Sequence, residues 1–188
     1  YGTLFVADEI QTGIGRTGSL FAYEQEGVEP DIMTLAKGLA GGVPIGAVMA
    51  REDIAAHLVK GDHGSTFGGN ALAAAAGYAT VKHVIDEDLS AAARSASERL
   101  VSRLRSMEDR LAVVNEVRGR GLLIAVQFTR DCASDVVDAC RRRGLLANNV
   151  RPNAVRLMPP LNVSDDEIDR ACDILEEAIV DATRSVAK

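Results

Sequence analysis

Asp31-Ile-Met-Thr-Leu-Ala-Lys37-Gly38 is a short apolar run that ends in an amine, and the earlier run Leu4-Phe-Val-Ala-Asp8 ends in an acid. Both read as β-strands, since a few apolar or β-branched residues between glycine and proline breaks suit a buried strand. Laid side by side, they would deliver a lysine and an aspartate to one end of a sheet. Working outward, strand-like Thr3 to Ala7 leads into a glycine-rich loop through Gly18, a short helix near Leu20 to Gln25 and a Gly27/Pro30 break. After Lys37, the loop through Pro44 precedes a further strand, Ile45 to Met49, and a brief helix near Ile54 to Leu58. Strands alternating with helices and loops predict a largely parallel α/β layer.

The loop His63-Gly-Ser-Thr-Phe-Gly-Gly69 runs into Asn70, a good helix N-cap, and an alanine-rich helix to about Ile85. That helix is apolar nearly all round, which predicts burial, with a second subunit as one source of cover. A helix from Leu89 to Met107 follows, with Leu100, Leu104 and Leu111 at helical spacing and a charged outer face. The pattern then changes to a smaller α+β unit. Its predicted elements are strands at Val113 to Val117 and Leu122 to Phe128, a helix at Ser134 to Arg143, and strands at Leu145 to Asn148 and Ala154 to Leu157. A last helix begins after Pro159-Pro160, where Ser164 and Glu167 have the spacing of a capping box, and runs to about Arg184. The boundary falls near Asp86 to Asp88, giving domains 1–86 and 87–188.

Composition narrows the function classes. The 188 residues are 47% apolar, enough for a real core, and the net charge of −6 argues against a nucleic-acid partner. Arg141-Arg142-Arg143 closes a predicted helix, where basic residues complement the helix dipole on a solvated face. No run approaches the roughly 20 apolar residues of a membrane span, so no membrane partner and a cytoplasmic location are expected. Cys132, Cys140 and Cys172 lack CxxC spacing, and His57, His63 and His83 are scattered. The cysteines therefore read as reduced packing residues, and no metal is expected. Tyr1-Gly-Thr-Leu enters a strand almost at once, which reads as a chain cut from something longer.

The paired amine and acid suggest a chemistry. A lysine amine in a dry crevice sheds its proton more readily and can then attack a carbonyl, as Schiff-base lysines do. Pyridoxal phosphate needs both groups, a lysine to hold it and a carboxylate to keep its ring nitrogen protonated. Solvated or paired side chains at strand ends are the plainer alternative. Gly13-Ile-Gly15-Arg-Thr-Gly18 fits the dinucleotide pattern G-x-G-x-x-G, but it opens no full helix, and Asp31 precedes its strand instead of ending it, so a loop is favoured. Ser65 and Thr66 approach a helix N-terminus, a setting that suits phosphate as well as a plain helix-entry loop. Arg156, in Val155-Arg-Leu-Met-Pro-Pro160, calls for an anion, either a substrate carboxylate or a structural acid.

Taken together, Asp8-Glu-Ile-Gln-Thr-Gly-Ile-Gly-Arg-Thr-Gly18, Thr34-Leu-Ala-Lys-Gly-Leu-Ala-Gly-Gly42, His63-Gly-Ser-Thr-Phe-Gly-Gly-Asn70, Val117-Arg-Gly-Arg-Gly-Leu122 and Val155-Arg-Leu-Met-Pro-Pro160 resemble the class III pyridoxal-phosphate aminotransferases. Within that class the chain is most similar to the acetylornithine and ornithine aminotransferases. The resemblance covers the whole chain but only about the C-terminal half of a family member. It implies an α/β fold, the C-terminal part of a fold-type I transferase: part of the large mixed-sheet domain followed by the small α+β domain. It also implies roles. Lys37 becomes the imine-forming lysine and proton shuttle, and Asp8 the partner of the pyridine nitrogen. Gln11 would bond the ring's phenolic oxygen, and Ser65 and Thr66 would bind phosphate, Thr66 reaching the cofactor of the opposite subunit in a homodimer. Arg156 would hold the substrate's α-carboxylate. The implied reaction moves an amino group from N-acetylornithine or ornithine to 2-oxoglutarate. A class III enzyme for 4-aminobutyrate or another ω-amino acid, and a non-catalytic folding or dimerisation module, remain as alternatives.

Overall fold

The computed structural model describes residues 2–184. The chain divides into two compact units, residues 1–91 and 92–188.

In the first unit, β1 (Val6–Asp8), β2 (Ile32–Leu35) and β3 (Ala47–Ala50) form one sheet in that order. β1 and β2 are parallel, with Asp8 opposite Thr34, whereas β3 runs antiparallel to β2. The sheet is therefore mixed, and the expectation of a largely parallel layer is corrected. The reason is length: a parallel return needs a crossover of a dozen or more residues, usually a helix. The segment between β2 and β3 holds only a 3-10 turn, Lys37–Ala40, and a glycine-rich loop. Arg51, just past β3, bonds Asp31 at 2.7 Å and ties the end of one strand to the start of its neighbour. The short helix α1 (Glu52–Ala55) follows, then the irregular segment that carries Ser65 and Thr66, then α2 (Ala71–Asp86).

Asn70 caps α2 by accepting the Ala73 N–H at 3.0 Å. Only Ala73, Gly77 and Val84 of this helix are buried. Leu72, Tyr78 and Ile85 are 75%, 71% and 57% exposed, so the burial expected for the whole helix is not supplied by the described residues. The buried stripe is where α2 meets the 3-10 turn. A Cβ on Gly77 would lie 3.7 Å from the Leu39 carbonyl oxygen and 3.9 Å from Ala40 Cβ, ordinary contact distances that show how near the helix runs to the turn.

The second unit is built on α3 (Leu89–Arg110), which begins at the end of the first, and on β4 (Val114–Arg120), β5 (Leu123–Phe128), α4 (Ala133–Arg142), β6 (Asn148–Arg151), β7 (Ala154–Leu157) and α5 (Asp165–Arg184). Its sheet has the order β4-β5-β7-β6 and is antiparallel throughout. Along β5, Ile124, Val126 and Phe128 point inward in strict alternation. They meet Leu100, Leu104 and Met107 of α3 and Ile168, Leu175 and Ile179 of α5 in one core. Gly119 near the β4–β5 turn has a φ of 146°, and a Cβ there would fall 2.1 Å from the Leu123 carbonyl oxygen, so only glycine fits. Ser164 and Glu167 form the expected capping box at the start of α5: the Ser164 N–H donates to Glu167 Oε2 at 2.9 Å, and the Glu167 N–H donates to Ser164 Oγ at 3.3 Å.

Two expectations shift here. The strand placed at Leu145 to Asn148 lies at Asn148–Arg151, because Gly144 ends the turn after α4 and Leu145–Ala147 are spent on the connection. Arg143 is not simply a solvated end of a basic run. It bonds Glu177 at 3.3 Å and pairs with Asp181, holding α4 to α5. Cys132, Cys140 and Cys172 are all free and buried, and burial pushes the thiols of Cys140 and Cys172 up to about 11.

Candidate active site

The parallel register of β1 and β2 decides the site's geometry. Because both strands run the same way with Asp8 opposite Thr34, their C-terminal ends lie at one edge of the sheet, with Asp8 on one strand and Lys37 three residues past Thr34 on the other. Ala7 and Glu9 on either side of Asp8 are buried while Asp8 is exposed, as the two-residue period of a strand requires.

Asp8 is held on one side only. Its Oδ1 accepts the Thr34 hydroxyl at 3.1 Å and the Ile10 N–H at 3.1 Å. Among the described residues, Oδ2 accepts no hydrogen bond. A carboxylate fixed through one oxygen and open at the other can accept a proton-bearing ring nitrogen, so the arrangement fits what pyridoxal phosphate needs from its acidic partner.

Lys37 begins the 3-10 turn with φ 48°, in the left-handed region that non-glycine residues seldom occupy. Buried Ile14 has φ 55°, rarer still for a β-branched side chain, and a Cβ on Gly38 would lie 3.8 Å from Ile14 Cβ. Each such conformation costs about 1–3 kcal/mol and persists only where its surroundings enforce it. Here two of them sit side by side at the lysine. Lys37 itself is exposed, so the dry crevice expected around its amine is not provided by the described residues of this chain.

Gln11 is half-buried in the loop after β1. Sequence reading overlooked the residue that organises this loop, Glu9. Its buried carboxylate accepts the Tyr23 N–H at 2.9 Å and the Thr12 hydroxyl, and its carbonyl accepts the Gly13 N–H at 3.0 Å. The Asp8-Glu9 pair was visible, but nothing in composition tells which acid turns inward; only the strand's parity does. Ser65 and Thr66 lie exposed on the segment before α2, where Ser65 Oγ accepts the Gly68 N–H at 2.8 Å. Arg156 sits half-buried on β7, an inner strand, opposite Ala125 of β5 and Asn148 of β6. An apolar hollow of about 320 Å³ lies elsewhere in the second unit, lined by Leu100, Leu146, Leu157, Pro160 and Ile168. Its one charged lining residue, Glu167, is engaged in the helix cap, so that hollow lacks groups for transfer chemistry.

Among the described residues no helix is long and apolar enough to cross a membrane, and no group of three or more His, Cys, Asp or Glu side chains could hold a metal ion.

An α/β chain with an acid ending one parallel strand and a lysine just past the end of its neighbour matches a known class over nearly its whole length. The profile of Aminotransferase class-III covers residues 1–179, and the chain belongs to that family. An acetylornithine aminotransferase of Caldanaerobacter subterraneus subsp. tengcongensis is 47% identical over 94% of this chain and 44% of its own length. The crystal structure of acetylornithine aminotransferase from Elizabethkingia anophelis is 38% identical, with a TM-score of 0.90 over 95% of this chain and 46% of that one. An ornithine aminotransferase of Toxoplasma gondii, whose active site shows partial occupancy by PLP, is 36% identical, with a TM-score of 0.91 over 99% of this chain and 45% of that one. The chain thus spans about half the length of the relatives it matches.

Proposed function

We propose that this chain forms the lysine-bearing part of a pyridoxal-phosphate aminotransferase that moves an amino group from N-acetylornithine or ornithine to 2-oxoglutarate. The observation that carries the reading is the pairing of β1 with β2, which sets Asp8, with one oxygen open, and Lys37 at the same edge of the sheet. The aminotransferase relatives and the PLP-bearing ornithine aminotransferase support it.

Bound pyridoxal phosphate supplies a conjugated ring that takes up the electron pair released at the donor's amino-bearing carbon. The chain's own residues do the rest. Lys37 Nζ would hold the cofactor covalently and, once freed by the donor's amine, its neutral amine would take the proton from the donor's amino-bearing carbon and hand it to the cofactor's carbon. Asp8 Oδ2 would accept the hydrogen bond of the ring nitrogen and favour its protonated form. Gln11 would donate to the ring's phenolic oxygen, Ser65 and Thr66 would offer hydroxyls to the phosphate, and Arg156 would grip an α-carboxylate with its planar fork. Thr66 acts across a homodimer. The exposed apolar side chains of α2, Leu72, Tyr78 and Ile85, support that assembly, since such a surface calls for cover.

The test is Lys37→Ala in the full chain, which should abolish turnover and the visible absorption of the bound cofactor while leaving the fold intact. Retention of both would refute the lysine's role. Borohydride trapping should label Lys37 selectively; a purely structural module would show no site-selective adduct. Comparing acetylornithine, ornithine and 4-aminobutyrate as donors assigns the substrate, and preference for 4-aminobutyrate would overturn the ornithine assignment.

A further inference from the structure

The hydrogen bond between Thr34 and Asp8 links the strand that leads to the lysine with the strand that ends in the acid. Thr34 Oγ1 donates to Asp8 Oδ1 at 3.1 Å, and the adjoining backbone is joined as well, with the Glu9 N–H donating to the Thr34 carbonyl at 3.0 Å. The Ile10 N–H is the second donor to the same oxygen. Two donors converging on Oδ1 stop the carboxylate from rotating about its terminal bond and leave Oδ2 as its open oxygen. Thr34 is half-buried and β-branched, so its own χ1 is restricted and the hydroxyl is held in place. Strand formation alone does not need that hydroxyl, because valine is equally suited to a β-strand.

We propose that Thr34 is a positioning residue for the cofactor, acting through Asp8: its hydroxyl locks Oδ1 so that Oδ2 meets the ring nitrogen in one fixed orientation. This rests on the reading of Asp8 given under Proposed function. The residue lies on β2 three positions before Lys37, which opens the turn just past that strand, so one short segment carries both the covalent anchor and the group that aims its opposing acid.

Thr34→Val keeps the strand and removes the donor; Thr34→Ser restores the hydroxyl. The full chain, freed of cofactor, is titrated with pyridoxal phosphate, and the bound cofactor, labelled with nitrogen-15 in its ring, is followed by NMR. Thr34→Val should weaken cofactor binding about tenfold, the scale of losing one hydrogen bond to a charged group. It should also move the ring-nitrogen resonance toward its unprotonated position, and Thr34→Ser should restore both. Unchanged affinity and resonance in Thr34→Val, or no rescue by serine, would overturn the proposal. If valine disturbs folding, Thr34→Ala against Thr34→Ser gives a second pair, both lacking the methyl and differing in the hydroxyl. Asp8→Asn separates the two levels of the reading. If it leaves the resonance where it was, the role of Asp8 itself fails. If it moves the resonance while Thr34→Val does not, only the role of Thr34 fails.

Discussion

The two units of this chain solve the burial problem to different degrees. Residues 92–188 enclose a continuous core in which Phe128, Leu122, Leu175 and Ile179 are at most 1% exposed. Residues 1–91 carry the lysine and the acid, yet their buried apolar set is small: Ala7, Ile14, Met33, Leu35, Ala40, Ala73 and Val84. Of the fourteen large apolar side chains exposed among the described residues, only Leu146 and Val150 belong to the second unit. The first unit thus spends its sequence on a strained lysine turn and an open acid, and leaves Phe5, Val48, Leu72 and Tyr78 facing water. The second spends its sequence on packing. The lesson concerns where stability and chemistry reside: burial sets the first and exposed strand ends set the second.

The largest effect that tests this contrast is thiol protection. With Cys140 and Cys172 pushed up to about 11, only about one thiol in a thousand is ionised at pH 8, and both are buried besides. An unfolded thiol, with its ordinary value of about 8.5, is about a quarter ionised at that pH, so labelling by a maleimide should be slower in the native protein by about a hundredfold from ionisation alone and by more from burial, and should appear only as the second unit opens. Fast labelling of either thiol in the native protein would mean that the second unit is not closed.

A paired substitution sharpens the comparison at the next scale down. Leu175→Ala removes a side chain with no exposed surface from the core of the second unit and should destabilise it by about 2–5 kcal/mol in denaturant unfolding. Leu72→Ser removes an equally large side chain from the first unit, where it is 75% exposed, and should change the monomer's stability by less than about 0.5 kcal/mol. Its effect should fall on self-association instead, read by analytical ultracentrifugation. Equal losses of monomer stability from the two substitutions would erase the distinction between the units.

Much of the fold was legible because its signals are local. β2 and β7 stand where their apolar runs predicted, and the caps of α2 and α5 use the side chains that the sequence marked, Asn70 and the Ser164/Glu167 box. What was not legible depends on partners distant in sequence. β1 was expected at Thr3 to Ala7 and spans Val6–Asp8, because pairing with β2 defines its extent. β6 is a wholly exposed strand of two asparagines, a valine and an arginine, whose polarity hides it, and it exists only because β7 offers it a ladder. In the site, Asp8 and Lys37 were marked by their positions at strand ends. Thr34 was inside a quoted motif, but its bond to Asp8 follows from a register that no single strand encodes, and the inward turn of Glu9 follows from parity at the sheet edge.

The smallest expected effect probes how the second unit's surface adds to its core. Arg99 bonds Asp169 through Nε at 3.0 Å and reaches Asp165 at 3.4 Å, Arg103 pairs with Asp173, and Arg110 meets Glu176 at 2.7 Å, forming a ladder between α3 and α5. The Arg99 guanidinium, by hydrogen bond first and by charge as well, holds the Asp169 carboxyl below the usual carboxylate range. A carboxyl depressed on folding contributes stability that is fully present above its unfolded value, about 3.9, and is lost as pH falls through the lower folded value. The ladder is exposed to solvent and screened by salt, so the contribution is small. Thermal unfolding followed from about pH 5 to about pH 2 should show a shallow acid limb that is flatter in Asp169→Asn and weaker at high salt. If the substitution leaves the limb unchanged at low salt, the ladder contributes nothing measurable, and the closure of the second unit rests on its apolar core alone.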